Sequence, residues 1–171
     1  MNKSPRIAVI GAGIAGLSCS KNLHKDIFEL SVYDKSRGPA GRMSTRRGEG
    51  WQCDHGAQYF TARDPGFRAE VARWQAAGVA GVWPARLAVF NEADGQRSET
   101  RLERFVGVPR MTAPARFLAD TLPLTAQTTI TRLERTPAGW QMTSAEHGPL
   151  PGHFDAVLLA VPAPQAVPLL E

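Results

Sequence analysis

Hydrophobic positions follow strand spacing in some parts of the chain and helix spacing in others. Arg6–Ile10 (RIAVI) is a short β-branched apolar run, the pattern of a strand buried on both faces in a parallel sheet. Glycines follow at once, and Ala15–Leu23 is rich in helix formers. Leu30–Tyr33 (LSVY) reads as a second short strand ending at Asp34. Strand, glycine turn, helix and strand within about 30 residues make a βαβ unit. Ser36–Gly50 is polar and glycine-rich and predicts a long loop. In Phe67–Ala77, Phe67, Val71 and Trp74 recur at helical spacing and predict an amphipathic helix. Gly81–Asn91 and Gln96–Phe105 read as strands around a turn containing Glu92, Asp94 and Gly95. Pro109–Leu122 contains a helix that starts near Thr112 or Ala113, with Pro114 at an early position. Gln127–Arg135 alternates as a strand, Pro137–Gly139 turns, and Trp140–Ser144 returns as its partner. Phe154–Val161 is another continuous apolar strand, after which Pro162, Pro164 and Pro168 break up the chain.

Composition narrows the class. The 171 residues are 43% hydrophobic and 21% charged, which excludes a disordered tail, a collagenous chain and a disulfide scaffold. The length allows a sizeable core. The net charge is +4, and only Lys3, Lys21, Lys25 and Lys35 of the 20 basic residues are lysines. Arginine suits bidentate contact with phosphate and carboxylate, but the basic residues are too scattered for a nucleic-acid surface. Cys19 and Cys53 stand alone, with no metal-ligand spacing and no CxxC, and fit a reducing cytoplasm. Lys3 and Arg6 precede an apolar stretch, but Gly11, Gly13 and Gly16 interrupt it, so it does not read as an export signal. No apolar run is long enough to span a membrane.

The chemistry lies in the glycine turn and in the segments downstream of it. Gly11-Ala12-Gly13-Ile14-Ala15-Gly16 sits between a predicted strand and a predicted helix, the context in which a GxGxxG motif binds a dinucleotide. Gly11 allows the tight turn, Gly13 lets backbone approach a pyrophosphate, and Gly16 lets helix and strand pack closely. Asp34, at the end of the second strand, can accept hydrogen bonds from both ribose hydroxyls of an adenosine and would repel a 2′-phosphate. Lys35 follows it directly. In a simple NAD dehydrogenase the chain would then enter another helix. Here a basic, glycine-bearing loop follows, able to curl back toward the pyrophosphate with Arg42 as a phosphate partner and Met43 backbone toward a flavin. In Gly56-Ala57-Gln58-Tyr59, two small residues would let backbone approach a flat ring, and Gln58 offers both donor and acceptor. Core packing is the alternative role for Tyr59 and Phe60. His55 could act as a base but, alone beside a glycine, reads as structural, while His24, His147 and His153 read as surface residues. No nucleophile–base–acid triad is present, and no catalytic residue or metal ligand stands out.

The segments GAGIAGLS, DKSRGPAGRMSTRR, HGAQYFTARD and AVPAPQAV, in that order, resemble the renalase-like flavoproteins of the FAD-dependent amine-oxidase superfamily. The resemblance runs over essentially the whole chain. It implies an α/β fold: a Rossmann-like FAD-binding domain of the p-hydroxybenzoate hydroxylase type, with part of an interleaved α+β substrate domain. The implied division is residues 1–60 for the FAD-binding βαβ unit and flavin loop, 61–122 for the partial substrate domain, and 123–171 for the return to the FAD-binding domain. It further implies FAD contacts from Gly11, Ala12, Gly13, Ile14, Ala15 and Gly16 at the pyrophosphate, Asp34 and Lys35 at the adenosine ribose, and Arg42 at the phosphates. Met43, Gln58 and Tyr59 would lie beside the ribityl chain and isoalloxazine, and Ile130 would contact the adenine region through its backbone. Ala160-Val161-Pro162 would lie where a strand end approaches the cofactor. The implied activity is oxidation of dihydro-NAD(P) isomers, with hydride transfer to flavin and reoxidation by O2 to hydrogen peroxide. The family's later half, with its closing Gly-Asp segment and helix, has no counterpart here, so the chain matches an N-terminal half. An NAD-dependent dehydrogenase domain and a dinucleotide-binding fragment without catalysis are the alternatives.

Overall fold

The computed structural model describes residues 4–23, 26–84 and 103–171. Its elements in chain order begin with β1 (Arg6–Ile10), α1 (Ile14–Asn22), β2 (Glu29–Tyr33), β3 (Thr45–Gly48) and β4 (Trp51–Asp54). Next come α2 (Pro65–Ala76), β5 (Ala80–Val82), β6 (Phe105–Gly107), α3 (Ala113–Ala119) and β7 (Leu124–Thr125). The chain closes with β8 (Ile130–Thr136), β9 (Gly139–Ser144), β10 (Gly148–Pro149), β11 (Ala156–Leu159), α4 (Ala163–Ala166) and a 3-10 turn at Val167–Leu169.

Two compact units result, one made of residues 1–43 and 115–171, the other of residues 44–114. The divisions fall at 43/44 and 114/115 rather than at the expected 60/61 and 122/123. The shift has a local cause. Ser44–Gly50, expected as loop, contains β3, which pairs with β4 in an antiparallel hairpin. Phe60, expected with the first segment, pairs through its backbone with Phe105.

The first unit is built on a four-stranded parallel sheet in the order β11-β1-β2-β7. Ile7, Ala8, Val9 and Ile10 are all buried, because β1 lies in the sheet interior with both faces covered. Ala8 and Ile10 pack on one face against Ile130, Met142, Leu150 and Phe154 of the antiparallel β8-β9-β10 sheet and its flanks. Ile7 and Val9 point to the other face, and α1 packs on β1 and β2 with Leu17 fully buried. Phe154 meets the Tyr33 ring edge-on at 6.3 Å, and the Arg6 guanidinium lies 4.7 Å from the Phe154 ring centroid. Phe154 itself precedes β11, which is shorter than the expected strand, and it bridges to Trp140 instead. β11 is also less buried than its apolar sequence suggests: it ends the sheet, and Leu158 is 36% exposed. β7 and β10, two residues each, were not expected.

The second unit is organised by aromatic rings. Phe60 stacks on Phe105 at 5.7 Å, and Phe67 and Trp74 of α2 complete the cluster at 5.8–6.0 Å. The Asp64 carboxylate accepts from the Phe67 amide at 2.8 Å, and Pro65 stands in the first turn, so the start of α2 is capped in the usual way. β5 and β6 pair antiparallel. Most of the two strands expected in this region, and their turn at Glu92–Gly95, lie outside the described residues, as does His24. His147 is exposed, while His153, expected at the surface, is half-buried beside Arg6, its carbonyl accepting from Arg6 Nη1 at 2.9 Å.

Phe154→Ala removes a fully buried ring and its two aromatic-face contacts; the expected loss is about 3–5 kcal/mol of unfolding free energy, read by chemical denaturation. Glu146 accepts from the Thr129 amide and hydroxyl, both at 2.7 Å, and these bonds hold its carboxyl below its ordinary value of 4.5. A depressed carboxyl stabilises the fold above its unfolded pKa and loses that contribution as pH falls through its folded pKa. Glu146→Gln should flatten the acid side of a stability–pH curve below about pH 4.5 while leaving its neutral side parallel to that of the parent.

Candidate functional site

The site forms where β1 ends. Gly11 takes φ +108°, and its amide donates to the Tyr33 carbonyl at 2.8 Å. A Cβ there would sit 2.6 Å from the Ala160 carbonyl oxygen. A Cβ on Gly16 would sit 2.0 Å from the Gly11 carbonyl oxygen. Both glycines therefore serve the chain itself: one turns it, the other lets α1 press onto the turn. Gly13 is different. Its φ of −72° suits any residue, and a Cβ there would meet nothing within 4 Å. Nothing in the described chain requires glycine at 13, so the open space beside it is available to a ligand.

That space adjoins the N-terminus of α1, where Gly13 is the cap residue. No side chain caps the helix, and its first turn contains no acidic residue. The leading amides of a helix lack intrahelical acceptors and carry the positive end of its dipole, a ready site for an anion.

Asp34 lies just past β2. Its Oδ2 accepts from the Ala12 amide at 2.6 Å and its Oδ1 from the Ser36 amide at 2.8 Å. These bonds fix the carboxylate against the glycine turn. Each oxygen still has an acceptor position for a hydroxyl. The Asp34 backbone is held as well, its amide donating to Thr125 O at 3.0 Å and its carbonyl accepting from Thr128 N at 2.9 Å.

The loop after Asp34 returns to the glycine turn. The Ala40 amide donates to Ala12 O at 3.0 Å, and Gly13 and Ala40 form a parallel bridge. Ala40 is buried at φ +123°, a costly conformation for alanine. Gly41 follows at φ +55°, close enough that a Cβ would lie 3.2 Å from Gly13 Cα. Arg42 is exposed and has no intramolecular partner among the described residues. Met43 is half-buried and donates its amide to Ala40 O at 3.0 Å. Lys35 is exposed and reaches Gln165 Oε1 at 3.2 Å.

Gly11–Gly16, Asp34, Lys35, Arg42, Met43 and Ile130 thus belong to one unit. The Ile130 side chain is part of the core, which leaves its backbone for any ligand contact. Gln58 and Tyr59 belong to the other unit, and both are exposed. Tyr59 tilts against Trp83 at 5.8 Å, with the Arg104 guanidinium 5.2 Å from its ring centroid. Phe60 is taken up by the aromatic cluster, so core packing is its role. His55 is exposed, with its amide donating to Ser44 O at 3.2 Å. Among the described residues no cluster of His, Cys, Asp and Glu can hold a metal, and no helix is long and apolar enough to cross a membrane. Sequence reasoning missed Ala40, whose strained backbone carries the returning loop; the Ala-Gly step before Arg42 was its only signal.

Residues 9–73 match a family described as the NAD(P)-binding Rossmann-like domain. A zeta-carotene-forming phytoene desaturase from Myxococcus xanthus is 37% identical over 51 residues, which is 30% of this chain and 10% of the desaturase. A bifunctional protein of tRNA 5-methylaminomethyl-2-thiouridine biosynthesis from Magnetococcus marinus is 28% identical, aligned over 96% of this chain and 30% of its own length. The chain thus spans less than a third of these curated relatives. The crystal structure of the CLA-producing fatty acid isomerase from P. acnes matches with a TM-score of 0.70 at 12% identity, covering 98% of this chain and 61% of that one. The fold is that of a Rossmann-like dinucleotide-binding domain.

Two of the glycines should respond differently to alanine. Gly16→Ala forces a methyl into backbone and should cost about 1–3 kcal/mol or more. Gly13→Ala should cost less than about 1 kcal/mol, the difference between glycine and alanine at a helix cap. Thermal or urea denaturation of the two variants checks this order.

Proposed function

We propose that the chain is the FAD-binding part of a flavin-dependent oxidoreductase of the renalase-like type. The supporting observation is the pairing of an unfilled position at Gly13 with a loop that returns to it through Ala40. A diphosphate fits the first, and the second favours FAD over a nicotinamide cofactor, because a simple NAD domain would continue from Asp34 into a helix. The desaturase relative, an enzyme named for introducing unsaturation, supports an oxidative reaction.

The open cradle at Gly13, the acid-free start of α1 and the fixed Asp34 carboxylate fit FAD. The amides of Gly13–Gly16 would hold its diphosphate, with Arg42 as a cationic partner. Asp34 would accept from the ribose hydroxyls and disfavour a 2′-phosphate. Lys35 would flank that ribose, Met43 would serve the flavin end, and Ile130 would offer backbone to the adenine. When bound, FAD supplies the redox step: a dihydro-NAD(P) isomer loses a hydride to become NAD(P)+, and O2 takes up two electrons and two protons to become H2O2. The protein's own part is placement and charge, and its basic balance of +4 suits an anionic dinucleotide substrate.

An NAD-dependent dehydrogenase domain is the second reading, favoured by the description of the matched family. Titration of the purified chain separates the two. FAD should bind with quenching of its fluorescence and should displace any bound NAD. Gly13→Ala should weaken FAD at least about tenfold with the fold intact, since a methyl would occupy the ligand's space. Asp34→Ala should weaken it roughly 10- to 100-fold, the loss of hydrogen bonds to a charged group. Tight NAD binding without FAD binding would establish the second reading instead. Bound FAD that no dihydro-NAD(P) isomer reduces would leave a binding domain without this turnover.

A further inference from the structure

The sheet order also bears on where the base of a nucleotide held at this site would lie. All four strands of the β11-β1-β2-β7 sheet run parallel, so their C-terminal ends share one edge, where ligands bind in open α/β sheets. The glycine turn follows β1, and Asp34 follows the neighbouring β2. Diphosphate, ribose and base succeed one another along an adenosine diphosphate, and adjacent strands lie about 4.8 Å apart. With the diphosphate at the end of β1 and the ribose at the end of β2, the base falls beyond the end of the next strand, β7. The residues there are Ala126–Thr129.

This segment is held firmly. Besides the Asp34 bonds to Thr125 and Thr128, the Gln127 amide donates to Ser36 O at 3.0 Å. Thr128 is buried, its hydroxyl donating to Ala126 O at 3.2 Å. Thr129 is taken up by Glu146. Gln127 stands apart. It adopts φ +53°, an unfavourable region for glutamine, and it is exposed. Its carboxamide has no intramolecular partner among the described residues. Of the residues at this strand end it alone carries a coplanar donor and acceptor, the pair that matches an adenine edge.

We propose that Gln127 reads the base: its carboxamide oxygen accepts from the adenine amino group while its NH2 donates to the adjacent ring nitrogen. This rests on the dinucleotide site described above and adds to it the residue that selects adenine.

ADP and IDP test it, because inosine replaces the amino donor with a carbonyl acceptor. Calorimetry on the purified chain, stripped of any carried-over cofactor, should show ADP binding about tenfold more tightly than IDP. Gln127→Gly should bring ADP down to the affinity of IDP. The same variant should melt no lower than the parent, since glycine tolerates φ +53° without strain. If the variant keeps the preference for ADP, or the parent has none while binding both nucleotides, Gln127 does not read the base, although the site stands. If the parent binds neither nucleotide, the site reading and the base assignment fall together.

Discussion

Asp34 is the junction on which the first unit depends. Its carboxylate reaches back across 22 residues to the Ala12 amide, and its backbone amide and carbonyl bind Thr125 and Thr128. One residue therefore ties the glycine turn after β1, the end of β2 and the segment after β7. The bond to Ala12 uses one amide of the turn and leaves those that open α1 free of any side-chain cap. Because the acceptor is charged and half-buried, each such bond is stronger than a neutral one. The same geometry that orders the turn presents the remaining acceptor positions of the carboxylate at the sheet edge. Under the function proposed above, local folding and ligand recognition would be two uses of one side chain.

The glycines divide along the same line. Gly11 and Gly16 answer to contacts inside the chain, with Ala160 and with each other. Gly13 answers to none. A motif letter repeated three times thus encodes two constraints of folding and one position that the fold itself leaves open. Ala40 adds a third kind, a strained alanine kept where the returning loop touches Gly13. Strain of this sort persists only where the surroundings over-determine it, and here the bonds of Ala40 to Ala12 and Met43 do so.

The βαβ unit was legible in the sequence because both of its strands are interior and largely apolar, and because glycines mark the turn. The helix α2 was legible because Val71 and Trp74 both face a core at helical spacing. β3 was not: Thr45–Gly48 has no buried face, so it shows no alternation, and its pairing with β4 is carried mainly by backbone. β7 escaped notice because two residues after Pro123 carry no period at all. Within the candidate site, the tight turn at Gly11 and the close packing at Gly16 were readable, but the bond from Ala12 to Asp34 and the place of Gln127 after β7 depend on sheet order. That order becomes visible only when strands distant in sequence are neighbours in space.

The outer flank of β11 has a practical consequence. As the last strand of its sheet among the described residues, it offers a row of backbone donors and acceptors beside the partly bare Leu158. Val167 and Leu170 are exposed a few residues further on. Such a margin is a template for β-addition by another polypeptide. A charged residue in place of Leu158 would be the simplest guard against such pairing.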